Sequence, residues 1–131
     1  VRNTRDTALI ANTDPLNDWW TPWITSTLGT PGSMCFSANG CYVNIPDQFN
    51  NALPLGIAAC SRGDCPKLWL SQNGGYTYIS TNATQSPFRV TINAASTQSP
   101  DLVEITATVT WVEGTQNKSL SQSITLSNWS L

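Results

Sequence analysis

The chain has 131 residues and a formal net charge of −2, from six basic and eight acidic side chains, with no histidine. Charged residues make up 11%, against about 25% in typical soluble proteins, so Ser, Thr, Asn and Gln must cover the surface. That length supports one domain with a real core, and the charge balance offers no basic patch for DNA or RNA. The missing imidazole removes Ser/His/Asp and Cys/His catalytic arrangements and most transition-metal sites.

Residues 1–13 carry a loose i, i+3/i+4 stripe at Val1, Thr4/Arg5, Ala8 and Leu9, spaced for a helix that Pro15 must end. So short a helix frays alone, and it makes more sense as the last turns of a longer one whose start lies upstream. Residues 14–34 read as a loop with unusual aromatic content. Asp18, Trp19, Trp20, Pro22 and Trp23 stand together, followed by Ile24 and Leu28. With Trp69, these tryptophans could present a stacking platform for sugar rings or bases. The competing reading is a lid over the open edge of the core, and it is favoured because Trp is highly buried on average.

Four cysteines form two close pairs, Cys35/Cys41 and Cys60/Cys65. An even count at short separation favours disulfides and an oxidising compartment. Three pairings are possible, and loop closure favours the local one. The spacers do not match a zinc ribbon, and no metal site is expected. Ser37-Ala38-Asn39-Gly40 is a tight turn inside the first pair. Tyr42, Val43 and Ile45 suggest a short strand stopped by Pro46. Inside the second pair, Arg62-Gly63-Asp64 spells a tripeptide that some animal cell-surface receptors bind, but such a match arises cheaply by chance.

Lys67-Leu68-Trp69-Leu70-Ser71 and Tyr76-Thr77-Tyr78-Ile79-Ser80 read as strands joined by Asn73-Gly74-Gly75. Residues 82–87 read as a loop. Phe88, Val90 and Ile92 then alternate with Arg89, Thr91 and Asn93. The clearest signal is Val103, Ile105, Ala107, Val109 and Trp111 alternating with Glu104, Thr106, Thr108 and Thr110. A polar, Gly-containing segment follows, and then Leu120, Ile124 and Leu126 alternate with hydroxyl residues, with Gln122 interrupting the apolar set. This is an antiparallel hairpin with one wet face. The expected fold is α+β. A remnant of an N-terminal helix packs on an antiparallel sheet of about four strands with disulfide-pinned loops. The alternative is all-β if the first segment is not helical. Leu9, Val109, Trp111, Ile124 and Leu126 are the expected core.

No chemistry converges. Asp14, Asp18, Asp47, Asp64, Asp101, Glu104 and Glu113 are scattered, without the spacing of a carboxylate pair or a calcium loop, and no phosphate-binding loop occurs. No catalytic site and no cofactor are expected. Asn82-Ala83-Thr84, Asn117-Lys118-Ser119 and Asn128-Trp129-Ser130 match the glycosylation acceptor pattern.

Several runs resemble one family. Val1-Arg2-Asn3-Thr4-Arg5-Asp6 resembles the end of the long N-terminal helix of type IV pilins of small-genome bacteria, where a Trp-containing loop follows. Val103-Glu104-Ile105-Thr106-Ala107-Thr108-Val109-Thr110-Trp111 and Ser123-Ile124-Thr125-Leu126-Ser127-Asn128-Trp129 are similar to the closing strands of that group, as is Pro87-Phe88-Arg89-Val90-Thr91-Ile92 before them. The likeness covers about half the chain; residues 24–86 match no pattern of the group. It implies that residues 1–131 are one globular head, with an apolar N-terminal helix preceding it that spans the membrane before assembly and bundles with other pilin subunits afterwards. It implies a structural subunit of an extracellular, cell-surface filament used for attachment or twitching motility, with no enzymatic activity. A secreted carbohydrate-binding module using Trp19, Trp20, Trp23 and Trp69 is the alternative.

Overall fold

Alternation of β-branched and hydroxyl residues over the last quarter of the chain gives the sheet its two most regular strands, and the remainder is built outward from them. The computed structural model describes residues 20–44, 56–62, 64–99 and 101–128. In chain order these form helix α1 (Trp20–Thr27), a 3-10 turn (Met34–Phe36), β1 (Cys41–Asn44), β2 (Gly56–Ala59), β3 (Lys67–Ser71), β4 (Tyr76–Thr77), β5 (Ala83–Ser96), β6 (Leu102–Glu113) and β7 (Gln116–Ser127).

All seven strands belong to one antiparallel sheet. Strand β5 is its spine. One side of it pairs with β6 from Arg89↔Thr110 to Ser96↔Val103. Its other side takes β1 at Ile92 and β3 along its first half. Strand β2 extends β1, β4 extends β3, and β7 extends β6. The β6–β7 ladder runs without a register shift from Leu102↔Ser127 to Glu113↔Gln116. Gly114 turns the corner with φ 63° and Thr115 completes it, a two-residue connection that suits the sheet's right-handed twist.

Paired residues share a face of an antiparallel sheet. One face therefore carries Thr91, Thr108 and Ser121, with Asn93, Thr106 and Ser123 beside them. Hydroxyls bond across it, Thr106 to Ser123 at 2.7 Å and Thr108 to Ser121 at 2.8 Å. The other face carries Val90, Ile92 and Ala94 on β5, Val103 to Val109 on β6, and Leu120, Ile124 and Leu126 on β7. The core sits at one end of that apolar face. Leu28, Cys35, Cys41, Ala94, Val103, Ile105 and Leu126 are buried together, with Ile24, Phe36, Ile57 and Ile92 packed against them. Ile24 and Leu28, one helical turn apart, bring α1 over this end. The helix stops at Gly29, whose φ of 97° a side-chain-bearing residue adopts only with strain.

Two disulfides pin the loops, Cys35–Cys41 and Cys60–Cys65, with Cα atoms 4.7 Å and 4.5 Å apart. The first is part of the core. The second lies beside the hydroxyl face, where Cys65 Sγ meets Thr91 Oγ1 at 3.2 Å and the Arg89 guanidinium donates to the Cys65 carbonyl.

The α+β expectation is corrected. The described residues are mostly antiparallel strand, seven in one sheet rather than about four, and helix is confined to eight residues plus one 3-10 turn. That helix lies at residues 20–27, inside the segment expected to be loop; the helix expected over residues 1–13 falls outside the described residues. Strand β2 was not anticipated, and β5 begins at Ala83, inside the segment 82–87 expected to be loop, and runs through Pro87 to Ser96. Pro87 is accommodated because the β3–β5 register shifts between Lys67↔Arg89 and Trp69↔Gln85, so the missing N–H falls at an irregularity. Of the expected core, Leu126 is fully buried, Val109 and Trp111 are half-buried, and Ile124 is exposed; Leu9 is outside the described residues.

Candidate interaction surface

The apolar face of the sheet is longer than the cap that covers it. Beyond Ile105 and Leu126 the face continues with Ala107 and Val109 on β6 and with Ile124 and Leu120 on β7, where Leu120 is 68% exposed. On the other flank, Phe88 stands next to Trp111, one residue beyond the last paired position of β5 and β6, with ring centroids 5.9 Å apart. Tyr76 meets Phe88 edge to face at 6.0 Å, so three rings cross from β4 over β5 to β6. Leu70, paired with Tyr76, adds a further exposed apolar side chain. Among the described residues nothing covers this largely apolar strip, in which Ala107, Leu120, Gln122 and Ile124 are exposed and Val109 is half-buried, and aromatic edges rim it. An exposed patch of this kind on a small domain marks an interaction surface.

Electrostatics add little. Lys118 pairs with Trp111 at the end of the strip, and Glu104 points to the hydroxyl face. Tyr78 and Tyr42 stack in a tilted arrangement at 4.9 Å, joining β1 to the segment after β4. Burial pushes the Tyr78 hydroxyl up to about 12, and the neighbouring Tyr42 adds to the shift. A shallow cleft of about 180 Å³ lies between α1 and the β5–β6 connection, lined by Ile24, Phe36, Thr97 and Val103 among others. None of its lining residues is acidic, basic or a thiol. Among the described residues, no group of three Cys, Asp or Glu side chains is placed to hold a metal ion. No helix among them is long and apolar enough to cross a membrane.

The four tryptophans singled out in the sequence are distributed differently. Trp20 and Trp23 fall on α1 and Trp69 on β3, where it pairs with Thr77 and Gln85; Trp19 lies outside the described residues. Trp111, read only as core, and Phe88 were missed as a pair. The signal was available, because the alignment that sets Val90 against Val109 also sets Phe88 against Trp111. Asp64 and Arg62 are exposed inside the Cys60–Cys65 loop, and Asp64 lies 3.8 Å from Arg89. Of the glycosylation-type asparagines, Asn82 and Asn117 are exposed, whereas the Asn128 side-chain amide donates to Asp101 at 3.1 Å.

Comparison of the chain with protein-family models, curated proteins and solved structures finds no match in any of the three.

Proposed function

We propose that the chain is the head of a structural subunit of a type IV pilus, an extracellular cell-surface filament serving attachment or twitching motility. The observation that carries this reading is the strip of exposed Ala107, Leu120 and Ile124 with half-buried Val109, beside the Tyr76–Phe88–Trp111 row, which no described residue covers. An isolated domain leaves that surface in water; a subunit packed among its own kind buries it. The pilin-like runs support the reading in a second way. Residues 103–111 and 123–128 belong to β6 and β7 or follow directly on β7, adjacent strands paired from Val103↔Leu126 onward, as closing strands of one head should be.

The two disulfides support an oxidising location, where cross-links persist. In this reading the partners are other pilin subunits, the membrane is occupied only before assembly, and no nucleic acid is bound. No step of the function is catalytic. Antibodies raised against the 131-residue chain should decorate surface filaments along their length in electron micrographs of the native cells. Labelling confined to the culture medium would overturn the assignment.

A further inference from the structure

The sheet has three edges among the described residues, and they differ in how they are guarded. Strand β2 is four residues long and β4 is two, so neither offers much backbone to a partner. Strand β7 offers twelve residues, about 40 Å of edge at ~3.3 Å per residue. It pairs with β6 on one side and with no described strand on the other. Its sequence, Gln116-Asn117-Lys118-Ser119-Leu120-Ser121-Gln122-Ser123-Ile124-Thr125-Leu126-Ser127, holds one charge and neither Pro nor Gly. The ladder with β6 contains no bulge that would twist the edge away. Among the described residues the usual protections of a free edge are therefore missing, apart from the single lysine.

The geometry points to β7 as a docking edge for a second copy of the same chain, paired antiparallel across a two-fold axis so that two sheets become one. A two-fold arrangement closes on itself and uses the same residues from both partners. Side-chain chemistry selects its register. With Gln122 opposite Gln122 of the second copy, Leu120 faces Ile124 and Ile124 faces Leu120, so the exposed apolar side chains of β7 meet each other. On the opposite face Ser121 meets Ser123, extending the hydroxyl ladder already formed with Thr106 and Thr108. Sliding by two residues in either direction sets an apolar side chain against Gln122. The two Lys118 ammonium groups end up about 25 Å apart along the seam, well beyond the ~8 Å screening length at physiological salt. Such an edge buries on the order of 1,000 Å² in total, near the lower limit for a specific interface, so association depends on concentration. This pairing is a property of the head in solution and goes beyond the filament assignment: failure here leaves that assignment standing, and the reverse holds too.

Sedimentation velocity of the 131-residue chain, from about 1 μM to about 1 mM, tests it. The expected result is a reversible monomer–dimer equilibrium. Gln122→Lys places two like charges opposite each other at the axis and should weaken dimerisation at least tenfold; Gln122→Glu should do the same. Mixing the two variants should restore dimers, because opposite charges then face each other. Gln122 is exposed, so neither change threatens the fold. A chain that stays monomeric throughout the range overturns the proposal, as does a dimer indifferent to both substitutions or a mixture that shows no rescue.

Discussion

Leu126 and Leu120 are identical side chains on the same face of the same strand, yet one is fully buried and the other 68% exposed. Truncating each to alanine separates burial from chemistry. Leu126→Ala removes buried apolar volume beside Leu28, Val103 and the Cys35–Cys41 disulfide. The transfer loss alone is about 2 kcal/mol. A cavity adds to it, because two β-strands and a disulfide form rigid walls that cannot close over the gap, and the total should reach about 3–5 kcal/mol. Leu120→Ala loses only the covered third of the same surface, below about 1 kcal/mol. Urea unfolding at equilibrium reads both, as a fall in the midpoint at unchanged slope. Equal losses, or a Leu126→Ala loss under about 1.5 kcal/mol, would refute the placement of the core at the α1 end of the sheet.

Other perturbations have expected signs. Gly40→Ala should destabilise by about 2–4 kcal/mol, because φ is +70° and the added Cβ would sit 2.5 Å from Thr91 Cγ2 and 2.9 Å from the Ile92 carbonyl; Gly32→Ala, equally left-handed but in open space, should cost about 1 kcal/mol, and thermal melting distinguishes them. Replacing Cys35 and Cys41 together by alanine should lower the melting temperature more than replacing Cys60 and Cys65: both loops are short and lose similar closure entropy, but only the first pair belongs to the main core cluster. Tyr78 should ionise near pH 12 in an ultraviolet titration. Because its folded pKa lies above the unfolded value of 10, its contribution to stability is intact below pH 10 and lost as pH rises toward 12. Tyr42→Phe should lower that pKa only in part, since burial is the larger cause.

The long strands were legible because each alternates over many residues, and β6 and β7 fall where Val103 to Trp111 and Leu120 to Leu126 placed them. The close spacing of the cysteines likewise gave the pairing found. Alternation identifies a face, however, and not what covers it. Ile124 shares its face with Leu126 but lies beyond the reach of the α1 cap, so it is 40% exposed. Helix α1 was hidden by Thr21, Pro22, Ile24 and Thr25, poor helix formers as a set; Ile24 and Leu28 anchor it to the sheet, which is tertiary support that local propensity does not carry. Pro22 stands in its first turn, where a proline costs no helical hydrogen bond. Strand β2, Gly56-Ile57-Ala58-Ala59, is too short and too uniform to show a period, and its pairing with β1 defines it. Pro87 hid the first part of β5, because a proline argues against a strand unless an irregularity absorbs it. The aromatic row from Tyr76 to Trp111 needed strand register, which no single strand reveals.

The filament assignment is tested most directly by the intact mass and N-terminal sequence of the native protein recovered from sheared surface filaments. A pilus subunit appears there as the head extended by an apolar helix long enough to span a bilayer, with a processed N-terminal residue. Protein absent from the sheared filaments and recovered free in the medium, starting near Val1, contradicts the assignment.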